Sequence, residues 1–144
     1  MAEGAWERGQ GPESSLAIGR AAYDTMLAQA RLAAPDECCG MLLGRDGSID
    51  EARPAANVAA NPRSRFEIDP QALVDAHRAQ RVGGPEVIGY YHSHPLGPAE
   101  PSATDRALAV GDGRIWAIVG EAGATFWRDG EAGFAALSYI VTDR

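Results

Sequence analysis

From Leu16 onward the apolar residues fall into alternating extended and helical patterns. Leu16 and Ile18 open a short strand. Tyr23, Met26, Leu27 and Ala30 then recur at helical spacing, and Pro35 stops the helix. Cys38-Cys39-Gly40-Met41-Leu42-Leu43-Gly44 is a short apolar run ended by a Gly- and Asp-containing turn at 44–47, which predicts a buried strand with Glu37 at its entrance. Between Gly47 and Pro70 the composition turns to Ala, Asn, Pro and Arg, and the pattern predicts only weak strands around 55–59 and 66–68. Asp69-Pro70 reads as an N-cap with proline at the first helical position, opening a helix through Leu73, Val74 and His77 to about Arg81. Val87-Ile88-Gly89-Tyr90-Tyr91-His92 is rich in β-branched and aromatic residues and stops before Pro95, as a central strand does. A loop at 95–101, a short helix from Ser102 to about Val110, and strands over 115–119, 125–127 and 134–141 complete the pattern.

Residues 1–13 hold Gly4, Gly9, Gly11 and Pro12 among charges and lack material for a core, so they are expected to be a disordered tail before one domain over 14–144. A chain of 144 residues with 45% hydrophobic and 23% charged residues suits one folded enzyme or binding domain and argues against collagen, coiled coil or disorder throughout. The net charge of −7 repels phosphate backbones, so nucleic acid is an unfavoured partner. No cationic segment leads into an apolar run at the start, and no run is long enough to span a bilayer. A soluble cytoplasmic protein without a membrane partner is therefore expected. Cys38 and Cys39 are adjacent, and a bridge between neighbours staples no loop; they are expected to be buried core thiols. His77, beside Arg78 and Arg81, is expected to be exposed or half-packed.

The segment His92-Ser93-His94 carries the clearest chemistry. Two histidines two apart on an extended segment point to one face, where both imidazoles can meet one metal ion. Asp105, on the first turn of the following helix, offers a third ligand. Two nitrogens and one oxygen, with a fourth position left to water, is the stoichiometry of a catalytic zinc site rather than a closed structural one. Ser102 and Asp105 also form S-x-x-D, close to a capping box, and both can serve helix capping alone. Pro95, Pro98 and Pro101 stiffen the loop between the ligands.

The string His92-x-His94-Pro95, six residues, Ser102, two residues, Asp105 resembles the signature of the JAMM (MPN-plus) zinc metallopeptidases, small prokaryotic type. Glu37 before its small-residue apolar strand matches the second element of that family. The resemblance covers roughly Leu16 to Val141. It implies an α/β (α+β) fold, a curved mixed sheet sandwiched between helices of the cytidine-deaminase-like JAMM/MPN type. One Zn2+ with a bound water is implied on His92, His94 and Asp105, and hydrolysis of an amide or isopeptide bond. Glu37 is the matching acid/base, able to take a proton from the attacking water and pass it to the leaving amine. Ser102 aligns with the serine whose hydroxyl stabilises the oxyanion.

Family members that act on ubiquitin chains carry an extra segment downstream of the zinc aspartate. Here the residues after Asp105 are already taken by a helix and three strands, so that insertion is expected to be absent. The resemblance therefore favours a ubiquitin-like or sulfur-carrier protein as substrate, its Gly-Gly tail added as an extended strand beside the active site. Two other readings stand beside it: a non-catalytic MPN-type interaction scaffold, which usually loses metal ligands, and the related RadC group, whose motif has Asn where Ser93 stands. Monomer and homodimer both remain open, since exposed apolar residues around 50–60 suit a partner or a second copy.

Overall fold

The computed structural model describes residues 16–143. The elements run β1 (Leu16–Gly19), α1 (Arg20–Ala33), β2 (Cys39–Arg45), β3 (Ser48–Ala55), α2 (Pro70–Arg81), β4 (Glu86–Ser93), α3 (Ala103–Leu108), β5 (Ile115–Gly120), β6 (Gly123–Gly130), β7 (Gly133–Leu137) and β8 (Tyr139–Thr142). The expected tail over 1–13 lies outside the described residues. No helix among the described residues is long and apolar enough to cross a membrane.

All eight strands form one mixed sheet in the order β7-β6-β5-β4-β2-β3-β1-β8. β2 lies antiparallel to β4 and to β3, while β4 pairs parallel with β5 and β1 parallel with both β3 and β8. β7 and β8 sit at opposite edges, yet only Ser138 separates them in the chain. The sheet must therefore curl until its two edges nearly meet. Tyr139 spans the gap: its hydroxyl donates to the Ala124 carbonyl at 2.8 Å, and its ring lies 4.5 Å from that of Phe126.

α1 fills the inside of the curl with Ala22 and Met26, packed with Ile18, Leu42, Ile49, Tyr91 and Phe126. α2 covers the other face, where Ala76 packs with Met41, Leu43 and Val87. The mixed sheet between helices matches the expected fold class. Side chains alternate along this strand: Cys38 and Leu42 join the α1 side, Met41 the α2 side, and both thiols are buried as expected. A register shift at Leu42/Leu43 leaves Ile88 bulged, so Ile88 and Tyr91 both reach the α1 side while Val87 and Tyr90 pack on the other. Gly40 and Gly89 are needed here, because a Cβ on Gly40 would strike the Tyr91 ring and one on Gly89 the Ile115 carbonyl.

Three stretches depart from the sequence expectations. The weak strand around 55–59 is instead the full strand β3 over Ser48–Ala55, followed by a lone bridge between Asn57 and Ile68. β3 mixes Asp50, Glu51, Arg53 and Pro54 with its two buried positions, Ile49 and Ala52. β1 covers it only at Ser48 and Ile49, so its second half is an edge where charges and proline are tolerated. The strand expected over 134–141 is two strands, β7 and β8, on opposite edges. The helix expected to reach Val110 ends at Leu108, where Asp129 takes over the next amides.

Candidate active site

The site forms where β2 and β4 begin and end side by side. Cys39 pairs with His92, and the Ser93 amide donates to the Cys38 carbonyl at 3.2 Å. Continued by one residue, that antiparallel register sets Glu37 against His94. Ser93 points away from the histidines and accepts the Cys38 amide on its hydroxyl at 2.8 Å, which locks the Glu37-bearing segment to the His-Ser-His segment. On the other flank the His94 amide donates to the Val119 carbonyl of β5 at 2.9 Å.

His92, His94 and Asp105 each contribute one atom to a tight triangle. His92 Nε2, His94 Nε2 and Asp105 Oδ2 stand 3.1 Å from one another on every side. α3 delivers Asp105 through the capping box: the Ser102 hydroxyl accepts the Asp105 amide at 3.0 Å, and Asp105 Oδ2 accepts the Ser102 amide at 3.0 Å. His94 Nδ1 faces the Pro98 carbonyl at 2.8 Å. A carbonyl only accepts, so the proton sits on Nδ1 of the neutral ring and the Nε2 lone pair faces the triangle. His92 is fully buried and its ring is set by packing, with Phe66 stacked on it at 4.2 Å and 17° and Trp116 edge-on at 5.7 Å.

The donor set fits a zinc ion. Bonds of about 2.0–2.2 Å in a tetrahedral site put neighbouring ligand atoms roughly 3.3 Å apart, close to the spacing of the triangle. Two imidazole nitrogens and a carboxylate oxygen, all lone-pair bearers, are otherwise poor neighbours in a buried place. The electrostatics are consistent with this role. Burial holds the His92 imidazole below its ordinary range despite the Asp105 carboxylate. For His94, burial is outweighed by Asp105 and the Pro98 carbonyl, and its pKa is raised. Burial pushes Asp105 up, but the two imidazoles and the Ser102 amide win and hold its carboxyl far below the usual carboxylate range.

Glu37 is buried at 7% exposure, and its Oε1 finds no hydrogen-bond partner among the described residues. Burial raises its pKa from 4.5 to about 7, against a lowering by His94 and with a smaller rise from Asp105. Glu37 lines a cleft of about 320 Å³ together with Arg63, His94, the 95–98 turn and Ser102. Ser102 itself is exposed to that cleft. The structure thus gathers all five residues singled out in the sequence, Glu37, His92, His94, Ser102 and Asp105, in one place.

Sequence reading missed the residues that hold this group in position. Asn57 uses its whole side chain: Nδ2 donates to the Glu37 carbonyl at 2.9 Å and to the Arg65 carbonyl at 3.2 Å, while Oδ1 accepts the Ala59 and Glu67 amides at 3.0 Å each. Thr125 Oγ1 donates to the Ala99 carbonyl at 2.6 Å and anchors the proline-rich loop. Phe66 and Ser93 complete the set. Only Ser93 had a visible signal, its place between the histidines on the opposite face. His77 is half-buried, as expected.

A curled mixed sheet with helices on both faces, carrying a His-His-Asp triangle beside a buried carboxylate, defines a hydrolase domain of the JAMM/MPN class. The chain belongs to the family described as prokaryotic homologs of the JAB domain, whose model matches residues 19–130, and it is an enzyme of the JAMM peptidase type. It is 39% identical over 111 residues to a desampylase of Haloferax volcanii, a match covering 73% of this chain and 80% of that protein. It is 34% identical over 97 residues to a CysO-cysteine peptidase of Mycobacterium tuberculosis, covering 66% of each. A solution structure of a protein from Desulfitobacterium hafniense superposes with a TM-score of 0.79 at 30% identity, covering 90% of this chain and 94% of that one.

Proposed function

We propose that this protein is a zinc-dependent peptidase that hydrolyses the peptide or isopeptide bond after the C-terminal Gly-Gly tail of a ubiquitin-like or sulfur-carrier protein. The convergence of His92, His94 and Asp105 on one point beside the buried Glu37 carboxylate carries the reading. The names of the desampylase and CysO-cysteine peptidase relatives support the substrate class.

His92 and His94 through Nε2, and Asp105 through Oδ2, would hold the zinc. When bound, the ion supplies a Lewis acid and a water acidic enough to react near neutral pH. Glu37 accepts a proton from the attacking water on a carboxylate oxygen and returns it to the leaving nitrogen. A group poised near pH 7 serves both transfers. Ser102 Oγ is already an acceptor for the Asp105 amide, so its hydroxyl hydrogen remains available to the substrate carbonyl oxygen as that oxygen gains charge. The exposed position of this hydroxyl lets a substrate reach it without unfolding the cap. A cleft walled by the stiff 95–101 loop suits a tail of glycines, whose lack of side chains permits close approach.

Metal analysis of the untagged protein beside His92→Ala and Asp105→Ala, followed by incubation with carrier proteins extended beyond Gly-Gly, tests the reading. About one zinc per chain, lost in both variants, and cleavage that Glu37→Gln removes, is the expected result. A wild-type protein that neither retains nor takes up zinc would overturn it and leave a non-catalytic scaffold.

A further inference from the structure

Among the described residues Arg63 is the one Arg or Lys lining the cleft beside Glu37, and the backbone that carries it is tied to that of Glu37. The Glu37 amide donates to the Pro62 carbonyl at 2.8 Å. The next residues form a tight turn, in which the Ser64 and Arg65 amides both donate to the Asn61 carbonyl, at 3.1 and 3.2 Å. Asn57 ties the far end of that turn, through the Arg65 carbonyl, to the Glu37 carbonyl. The turn bearing Arg63 is thus bolted to the base on both sides. Arg63 itself is exposed and makes no ion pair or hydrogen bond among the described residues, although Glu100 lines the same cleft.

Glu37 must deliver its proton to the nitrogen that departs, so the departing amine approaches the Glu37 end of the cleft. When the leaving group is a free amino acid, its α-carboxylate lies two bonds from that nitrogen. When it is the side chain of a lysine within a protein, no carboxylate lies there. A guanidinium is the side chain best matched to a carboxylate, through a pair of parallel N–H donors.

We propose that Arg63 is a specificity residue that binds the α-carboxylate of the leaving residue, so that this enzyme prefers a carrier extended by a single amino acid over one joined to a lysine side chain. The inference rests on the peptidase reading above. Arg63 touches no reacting atom; its contribution is to hold the amide with its nitrogen towards Glu37.

The test uses the full-length zinc-loaded protein and a ubiquitin-like protein ending in Gly-Gly-Ala, prepared once with a free carboxylate and once as the amide. Wild type is expected to favour the carboxylate form by about tenfold in kcat/KM, chiefly through KM. Arg63→Ala is expected to bring that ratio to about one, with Arg63→Lys in between, a pattern that a merely structural role for Arg63 would not produce. Equal rates on the two forms by wild type, or a preference that survives Arg63→Ala, would overturn the proposal. Cleavage of neither form by wild type would count against the peptidase reading instead. A binding measurement then decides the role of Arg63 without turnover: in nitrogen-15 spectra, alanine but not alaninamide should shift the Arg63 Nε–H signal saturably, and no shift overturns it.

Discussion

Glu37 shows how a single side chain couples chemistry to stability. Its folded pKa of about 7 lies above the ordinary 4.5, so the folded protein binds the extra proton between those values and the unfolded chain does not. Stability from the neutral carboxyl is therefore complete below about pH 4.5 and is lost as pH rises through 7. In metal-free protein, Glu37→Gln should raise stability at pH 8 by on the order of 2 kcal/mol, with the gain vanishing towards pH 4.5. Urea unfolding of both proteins across that range measures it. The same substitution should lower turnover by about 10²–10⁴-fold. Burial shifts the two thiols in the same direction, and there it suppresses reactivity. Burial pushes Cys39 up to about 12 and raises Cys38 as well, so neither should react with a disulfide reagent at pH 8 until the protein unfolds. Rapid modification of the folded protein would show that the strand carrying them opens readily.

At the scale of elements, the site depends on two loops held by single polar side chains. Asn57→Ala removes four hydrogen bonds around the Glu37 carbonyl and the 61–65 turn, and should cost about 1–3 kcal/mol. Faster amide exchange should then appear in that turn. Asp129 is almost fully buried, and its two carboxylate oxygens accept the Val110 and Gly111 amides at 3.1 Å each. Asp129→Ala strands both amides and should cost on the order of 3 kcal/mol, read as a shifted urea midpoint with an unchanged slope. These loops also mark where the sequence stops being readable. α2 was plain because Asp69 and Pro70 announce its start, and the His-Ser-His strand because a period of two sets both imidazoles on one face. β3 was not, since its charges and Pro54 belong to an edge whose existence depends on where β1 ends. The break at Ser138 carries no glycine or proline; it arises because Tyr139 pairs with β1 rather than continuing beside β6. The roles of Asn57 and Phe66 follow from tertiary contacts that no local pattern encodes.

Across the whole molecule, zinc should act as a clamp between two consecutive elements, β4 and α3. His92 lies in β4, His94 just after its end and Asp105 in α3, so binding ties the central sheet to the helix that follows. Zinc at about a hundred times its dissociation constant should add about 3 kcal/mol and raise Tm by several degrees, with no rise in His92→Ala. Differential scanning calorimetry with and without the metal checks this.

The parallel pairing of β1 with β8 gives the molecule a late step in its own synthesis. Among the described strands Leu16 to Gly19 are the first to be synthesised, and their partners Tyr139 to Thr142 are the last. Until then one side of β1 has no neighbour, and the Tyr139 hydroxyl is missing from the seam at Ala124. A nascent chain released just before Ser138 would thus carry its histidines, aspartate and glutamate and yet hold an unsealed sheet, open to pairing with another chain.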